Sequence, residues 1–166
     1  RSTLNLPGPD MDMWEYTYLK VDVGDRPDAY IKQTITSPYQ GWQQCDVTRC
    51  FYDQRGGWQP WEWMNPPTLL GVEYRTTERY LGKPVYVKVV DCGNLPNTTS
   101  KEVAHGIANV AYMIDVTLQG LNASSFTHNA NELTVWANYE CVYIKTLNDL
   151  SRYSVYASLR YTKTTD

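Results

Sequence analysis

Acid–base or metal chemistry in this sequence would have to use two histidines, His105 and His128, and a scatter of carboxylates. A catalytic or zinc site needs several nitrogen, sulfur or carboxylate groups at a fixed spacing. The sequence has no H-x-x-x-H and no C-x-x-C pattern. His105 shares the parity of Val103 and Ile107 in an alternating stretch, which favours a hydrogen-bonded residue of a sheet over a ligand. We therefore predict no catalytic residue, no metal site and no cofactor.

The carboxylates show no pairing that the sequence can define. Hydrolysis of a glycosidic bond needs two of them about 5–9.5 Å apart across a cleft. A β protein with many acids can supply such a pair by accident, so these residues favour solvated charge patterns. They are Glu62, Glu73, Glu78, Asp91, Glu102, Asp115 and Glu140. The sequence predicts a protein without enzymatic activity.

Three tryptophans, Trp58, Trp61 and Trp63, lie in the segment G-W-Q-P-W-E-W-M of residues 57–64. The C–H faces of sugars pack on aromatic rings, so such a cluster could form a sugar platform. Read as one strand, however, the segment places Trp61 and Trp63 on one face and Trp58 on the other. That parity favours a seam between two units or a trimer contact, and Trp58 is kept as a candidate glycan-binding residue.

A polar loop, G-L-N-A-S-S-F-T-H-N-A-N at residues 120–131, is the preferred contact region. Loops that a rigid sheet positions carry binding disproportionately. Amide and hydroxyl groups suit the hydroxyls of sugars. The predicted glycan-binding residues of this part are Asn122, Ser124, Ser125, Thr127, His128, Asn129 and Asn131, with Trp136 shortly after them. A solvated hairpin loop is the alternative interpretation.

The composition restricts the class of protein. The 166 residues carry a net charge of -3 and include 14 Tyr and 6 Trp but only 2 Phe. Because no basic stripe and no apolar run of about 20 residues is present, we expect neither nucleic-acid binding nor membrane insertion. Tyr and Trp suit interfaces, since each combines an apolar body with a polar edge. Strands favour the same residues, so both interpretations stay open.

Short stretches of alternating apolar residues, separated by turn signals, predict an all-β fold with little or no helix. Residues 57–64 and residues 133–143 each resemble one continuous strand. One shared face is predicted for Tyr112, Ile114, Val116 and Leu118, and one for Tyr153, Val155, Ala157, Leu159 and Tyr161.

The best domain boundary is Asn65-Pro66-Pro67, because two successive prolines cannot sit inside a sheet ladder. We predict a linker or arm at residues 1–12, a knob-like β module at 13–66 and a C-terminal β-sandwich at 67–166. Both modules are expected to be small antiparallel β units. The chain begins at Arg1 rather than Met, so we expect a piece of a longer polypeptide.

The four cysteines are too sparse for a disulfide framework. We expect free thiols in a protein assembled in a reducing cytosol. These residues are Cys45, Cys50, Cys92 and Cys141.

Two parts of the chain resemble bacteriophage tail fibres. The phrases E-Y-R-T-T-E-R-Y-L-G-K-P-V-Y-V-K and L-P-N-T-T-S-K-E-V-A-H-G-I-A-N, within residues 70–110, are similar to the C-terminal region of tail-fibre and receptor-binding proteins from phages and prophages of gut bacteria. Residues 39–64, with Arg49 and G-W-Q-P-W, resemble the knob module of phage tail fibres and pyocins. Beyond Tyr112 the likeness extends only to the pattern of strands.

This resemblance implies a non-enzymatic receptor-binding tip that attaches a virion to a bacterial surface. The expected partners are further copies of the chain in a homotrimer, the rest of the tail fibre, and a bacterial surface glycan or protein receptor. The protein would be made in the cytoplasm of the host bacterium and would act in the virion. A structural knob or collar module for fibre trimerisation is the first alternative, and a fragment of a polysaccharide depolymerase is the second.

Overall fold

The computed structural model describes residues 18–24, 30–37, 45–52, 56–120 and 132–165. These residues are all-β and contain no helix, which confirms the predicted fold class. Their strands form one large mixed sheet and one smaller sheet. None of the segments in these ranges is a helix that could cross a membrane.

The strands follow one another with short connections. In chain order they are β1 Tyr18–Val23, β2 Ile31–Ser37, β3 Cys45–Tyr52, β4 Gly57–Trp58, β5 Glu62–Trp63, β6 Glu73–Tyr80, β7 Lys83–Asn94, β8 Ser100–Ala104, β9 Val110–Gly120, β10 Leu133–Ala137, β11 Cys141–Thr146 and β12 Ser154–Lys163. The chain divides into two compact units. Unit 1 takes the described residues up to Pro67 together with Tyr74–Thr77, and unit 2 takes Thr68–Glu73 and the described residues from Glu78 onward.

Unit 1 is built on the antiparallel strands β1, β2 and β3. Side chains alternate across this sheet, so one face collects Ile35 and Val47, which are 1% and 0% exposed. Strand β5 adds Trp63 opposite Val47 and pairs in parallel with β6. The rings of Trp63 and Tyr74 meet edge to face, with centroids 5.2 Å apart. This aromatic pair completes the apolar side of the sheet.

The tryptophan segment is not one strand. Phe51 pairs with Trp58, and Val47 pairs with Trp63. Four steps along β3 therefore match five steps along the tryptophan segment, which is the geometry of a β-bulge. Pro60 lies in the break between β4 and β5 and has no N–H to give to the ladder. The extra residue changes the parity, so the prediction that Trp58 takes the opposite face from Trp61 and Trp63 is wrong.

Unit 2 is a sandwich of two antiparallel sheets. In the first, β12 lies between β7 and β9. The second has the order β10-β11-β8. The core between them includes Leu133, Val142 and Ile144 from the second sheet and the inward row of β12 from the first. That row is Val155, Ala157, Leu159 and Tyr161, each 0% exposed, as the alternating pattern predicts.

Two further predictions about strands need correction. Residues 133–143 form a hairpin, because the Asn138 side-chain oxygen accepts the backbone N–H groups of Glu140 and Cys141 at 2.9 and 2.8 Å.

In β9, Asp115 pairs with Arg160 but Met113 pairs with Tyr161, so Ile114 is an extra residue. This bulge turns Met113 toward the core and leaves Tyr112 49% exposed. Tyr112 and Leu118 therefore do not share a face.

Two side chains at the end of β12 contact the carboxylate of Glu73 within unit 2. The hydroxyl of Tyr161 and the Nζ of Lys163 both donate to Glu73, each at 2.5 Å. Burial, followed by the Glu73 carboxylate, raises the pKa of Tyr161, so this hydroxyl stays protonated and donates. The contact fixes Glu73 to the end of β12.

The cysteines have no disulfide partner in the structure. Cys45, Cys92 and Cys141 are buried and Cys50 is half-buried, and all four are thiols rather than disulfides. Burial is the main cause that raises the pKa of Cys45 and Cys92, which keeps both thiols in the unreactive protonated form.

His105 follows directly after β8 and is 3% exposed. Its Nδ1 accepts the backbone N–H of Ile107 at 3.1 Å, and its Nε2 lies 3.3 Å from the carbonyl oxygen of Asn138. The acceptor role of Nδ1 places the proton on Nε2, so the ring is bound as a neutral donor and acceptor. Desolvation by burial, with a smaller effect of the Lys88 charge, lowers the pKa of His105.

We expect unit 2 to lose stability as the pH falls below about 6.5, the ordinary pKa of histidine in an unfolded chain. The lowered pKa in the folded state means that protonation favours unfolding, so this contribution is complete above that pH and decreases below it. Melting temperatures measured from pH 7 down to about 5, above the range where most carboxylates titrate, test this expectation. His105→Gln should flatten the slope, and an unchanged slope would contradict the assignment.

Candidate functional site

The outer face of the three-stranded sheet of unit 2 carries a row of aromatic and polar side chains. Trp136 of β10 pairs with Tyr143 of β11, and Tyr143 pairs with Glu102 of β8. Directly opposed residues of neighbouring strands point to the same face. The alternate residues Val142 and Ile144 are 0% exposed and point into the core. Because side chains alternate along a strand, the row of Trp136, Tyr143 and Glu102 faces the surface.

The two rings of the row stack on each other. The centroids of Trp136 and Tyr143 are 5.3 Å apart, and their planes differ by 6°. Trp136 is nevertheless 43% exposed. Since Tyr143 covers one face of the indole, the exposure comes from the opposite face and the ring edge. A flat apolar surface, supported from behind, is thus open to a ligand.

The hydroxyl of Tyr143 is held on two sides. It donates to a Glu102 carboxylate oxygen at 3.3 Å and accepts the side-chain N–H of Asn138 at 3.1 Å. Desolvation, followed by the Glu102 charge, raises the pKa of Tyr143, so the hydroxyl remains a donor. Two hydrogen bonds and one stacked ring fix the orientation of this side chain.

Asn138 connects the row to the turn between β10 and β11. Its side-chain oxygen accepts two backbone N–H groups of the turn, while its amide nitrogen reaches Tyr143. Tyr139, within the same turn, is 62% exposed. The turn therefore carries a further exposed aromatic ring, and it fixes the Asn138 amide against Tyr143.

We call Trp136, Tyr143, Glu102 and Asn138 the aromatic platform. An exposed indole face packs against the C–H groups of a sugar ring. A carboxylate accepts hydrogen bonds from sugar hydroxyls, and an amide can donate or accept. An apolar surface bordered by a few fixed polar groups is the usual composition of a small-ligand site. The platform has the chemistry of a shallow saccharide contact.

The structure describes two of the predicted glycan-binding residues. Trp136 is the exposed ring of the platform. Trp58 is 40% exposed and belongs to unit 1. The remaining candidates lie outside the described residues, in the segment between β9 and β10; they are Asn122, Ser124, Ser125, Thr127, His128, Asn129 and Asn131. Their role stays a prediction.

Three members of the platform are missing from the sequence-based prediction: Glu102, Asn138 and Tyr143. Reading residues 133–143 as one strand placed Trp136 and Tyr143 at separate points of that strand. The asparagine of W-A-N-Y-E-C was the available signal, since Asn favours turns through its side chain. A turn there pairs Trp136 with Tyr143, whereas no local pattern brings Glu102 of β8 beside them.

Comparisons with other proteins leave the family open. No protein-family model, no curated protein and no solved structure matches this chain. Among the residues that the structure describes, no group of three or more His, Cys, Asp or Glu side chains is placed to hold a metal ion.

Proposed function

We propose that this chain is a non-enzymatic receptor-binding tip of a phage tail fibre, or of a related prophage particle, that attaches the virion to a bacterial surface glycan. The aromatic platform is the observation that carries the proposal in chemical terms. The likeness of residues 70–110 to tail-fibre proteins supports the biological setting. The particle would contact the sugar through Trp136 and the polar groups beside it.

A single platform is small and exposed, so one contact binds weakly. Attachment of a virion would depend on several copies of the tip engaging the surface together. Linked sites act at a high effective concentration, and the combined affinity exceeds that of each site by orders of magnitude. A homotrimer, carried by several fibres on one particle, supplies this multiplicity.

The purified, fluorescently labelled protein tests the proposal on a panel of gut bacteria and on an array of bacterial surface saccharides. We expect binding to a subset of strains, one class of saccharide among the hits, and displacement from cells by that saccharide. Circular dichroism of the same preparation checks that the protein is folded. Absence of binding to every strain and every saccharide would contradict the proposal.

A structural role in fibre assembly is the second candidate, and β1 favours it. Leu19, Val21 and Val23 share one face of this strand and are 49%, 48% and 56% exposed. Contiguous apolar surface of this kind marks association sites. Light scattering separates the two roles, because a trimer whose assembly is lost on substituting these residues supports association through β1, whereas an unchanged mass contradicts it.

A further inference from the structure

Unit 1 contains a cation held by two tryptophans. Arg49 lies in the middle of β3, and its Cζ is 4.4 Å from the ring centroids of both Trp58 and Trp61. Its Nε donates to the side-chain oxygen of Gln33 on the neighbouring strand at 2.9 Å. We call Arg49, Trp58 and Trp61 the Arg49 clamp. Contact with aromatic faces and one hydrogen bond fix the plane of the guanidinium.

The β-bulge between β4 and β5 explains how both rings reach one side chain. Without the extra residue, Trp58 and Trp61 would have opposite parity and one of them would point away from Arg49. Trp58 is also supported from another direction, because its ring meets Phe51 edge to face at 5.5 Å. The clamp therefore depends on the bulge in this segment, where Pro60 lies between the two tryptophans.

The guanidinium has no counter-charge among the described residues. The carboxylates of the adjoining strand positions, Asp46 and Glu62, alternate to the other face, and Glu62 pairs with Arg75 at 3.0 Å. Partial burial lowers the pKa of Arg49 without neutralising it. A partly desolvated cation that has no counter-charge among the described residues is stabilised by an anion that enters its surroundings.

The Nη end of the guanidinium is the part that such an anion would contact. Only its Nε has a hydrogen-bond partner in the described part of the chain. The two Nη nitrogens of Arg49 have no hydrogen-bond partner among the described residues, so no described group competes with an incoming anion for them. Two coplanar Nη groups form a fork that matches the paired oxygens of a carboxylate or phosphate. Next to them, Trp58 is 40% exposed.

We propose that the Arg49 clamp binds an oxyanion carried by a saccharide, either the carboxylate of a uronic acid or a sugar phosphate. The Nη fork holds the anion, and the sugar ring packs on the exposed part of Trp58. This inference deepens the proposed function, since it assigns an acidic character to the bacterial glycan and places the contact in unit 1. It also gives a reason for the exposed Trp58 beside an arginine that has no counter-charge among the described residues.

The test titrates the whole chain with three probes followed by nuclear magnetic resonance: a glucuronic-acid disaccharide, its neutral glucose counterpart and glucose 6-phosphate. We expect the acidic probes to bind more tightly than the neutral one, with an affinity that falls as ionic strength rises. Arg49→Lys keeps the charge but removes the fork and should weaken acidic binding about tenfold, which corresponds to one charge-assisted hydrogen bond. If only the glucuronic-acid probe binds, the group that the clamp recognises is a carboxylate. If only glucose 6-phosphate binds, the group is a phosphate.

Two variants make the result decisive. Trp58→Ala should weaken acidic binding as well, through loss of stacking, and it protects the test if Arg49→Lys fails to fold. Arg152→Lys is the matched control, because Arg152 also lies over an aromatic ring, that of Tyr153 at 4.7 Å, but in unit 2. The inference is overturned if neither acidic probe binds the native chain, or if the Arg49→Lys and Trp58→Ala variants bind the acidic probes as tightly as the native chain does. Probe binding is measured without cells, so the inference about the Arg49 clamp can fail while the proposed function holds, and the reverse.

Discussion

Replacing Trp136 with alanine should reduce saccharide binding by unit 2 about tenfold or more at each site and abolish stable attachment to cells. Aromatic anchors at binding surfaces commonly contribute about 2 kcal/mol or more, and about 1.4 kcal/mol corresponds to a factor of ten in affinity. The loss is multiplied when several copies bind together. The measurements are titration with the saccharide identified on the array and retention of labelled protein by cells.

Tyr112 provides a matched control for this experiment. It is 49% exposed, close to the 43% of Trp136, and it lies on β9 of the same unit. Its ring meets Tyr80 at a tilted angle with centroids 6.1 Å apart, and it is not part of the platform. Tyr112→Ala should therefore leave binding unchanged. Equal losses in the two variants would mean that general surface hydrophobicity, rather than the platform, causes adhesion.

The period of two in the sequence was sufficient to predict many of the strands and much of the core. In β12, every second residue from Val155 to Tyr161 is completely buried, as expected for a central strand with one face on a core. The same reasoning predicted that His105 is a hydrogen-bonded residue. These predictions succeed because a residue's face depends only on its own strand.

The candidate sites could not be predicted as completely, because each depends on a change of parity or on pairing between distant strands. One extra residue near Pro60 brings Trp58 and Trp61 to the same arginine. One asparagine turn places Tyr143 behind Trp136. A slip of one residue reverses the face of every side chain that follows, and bulges of this kind have only a weak local signature. Trp136 was proposed from its type and position, whereas its neighbours required the register.

The two candidate sites share a physical principle although they belong to different units. In each, an exposed indole is supported by a neighbour: Trp136 by the ring of Tyr143, and Trp58 by Arg49 and Phe51. A ring that is already held in place loses little conformational freedom when a ligand binds. Rigid support therefore offers a way for a small, exposed contact to bind a sugar measurably.

The aromatic platform and its supporting turn both depend on the core of unit 2, to which Leu159 contributes a buried side chain. The residue is 0% exposed and lies on β12, the strand that pairs with both β7 and β9. Core residues from the opposite sheet include Val142 and Ile144, which alternate with Tyr143 along β11. A cavity at Leu159 would loosen the surface against which β11 packs.

Leu159→Ala should lower the free energy of unfolding of unit 2 by about 2–5 kcal/mol, because it removes buried methyl groups and leaves a cavity in a closely packed interior. Hydrogen exchange of backbone amides in β7 and β9 measures this loss for unit 2, since the amides of core strands exchange only when the whole core opens. Leu147→Ala is the control of identical chemistry: Leu147 is 60% exposed, and surface substitutions usually change stability by less than about 0.5 kcal/mol. If the two variants lost protection equally, the sandwich core would not lie where β12 places it. If only Leu159→Ala loses protection, saccharide binding through Trp136 should weaken in parallel, because the platform is held by the sheet that this core supports.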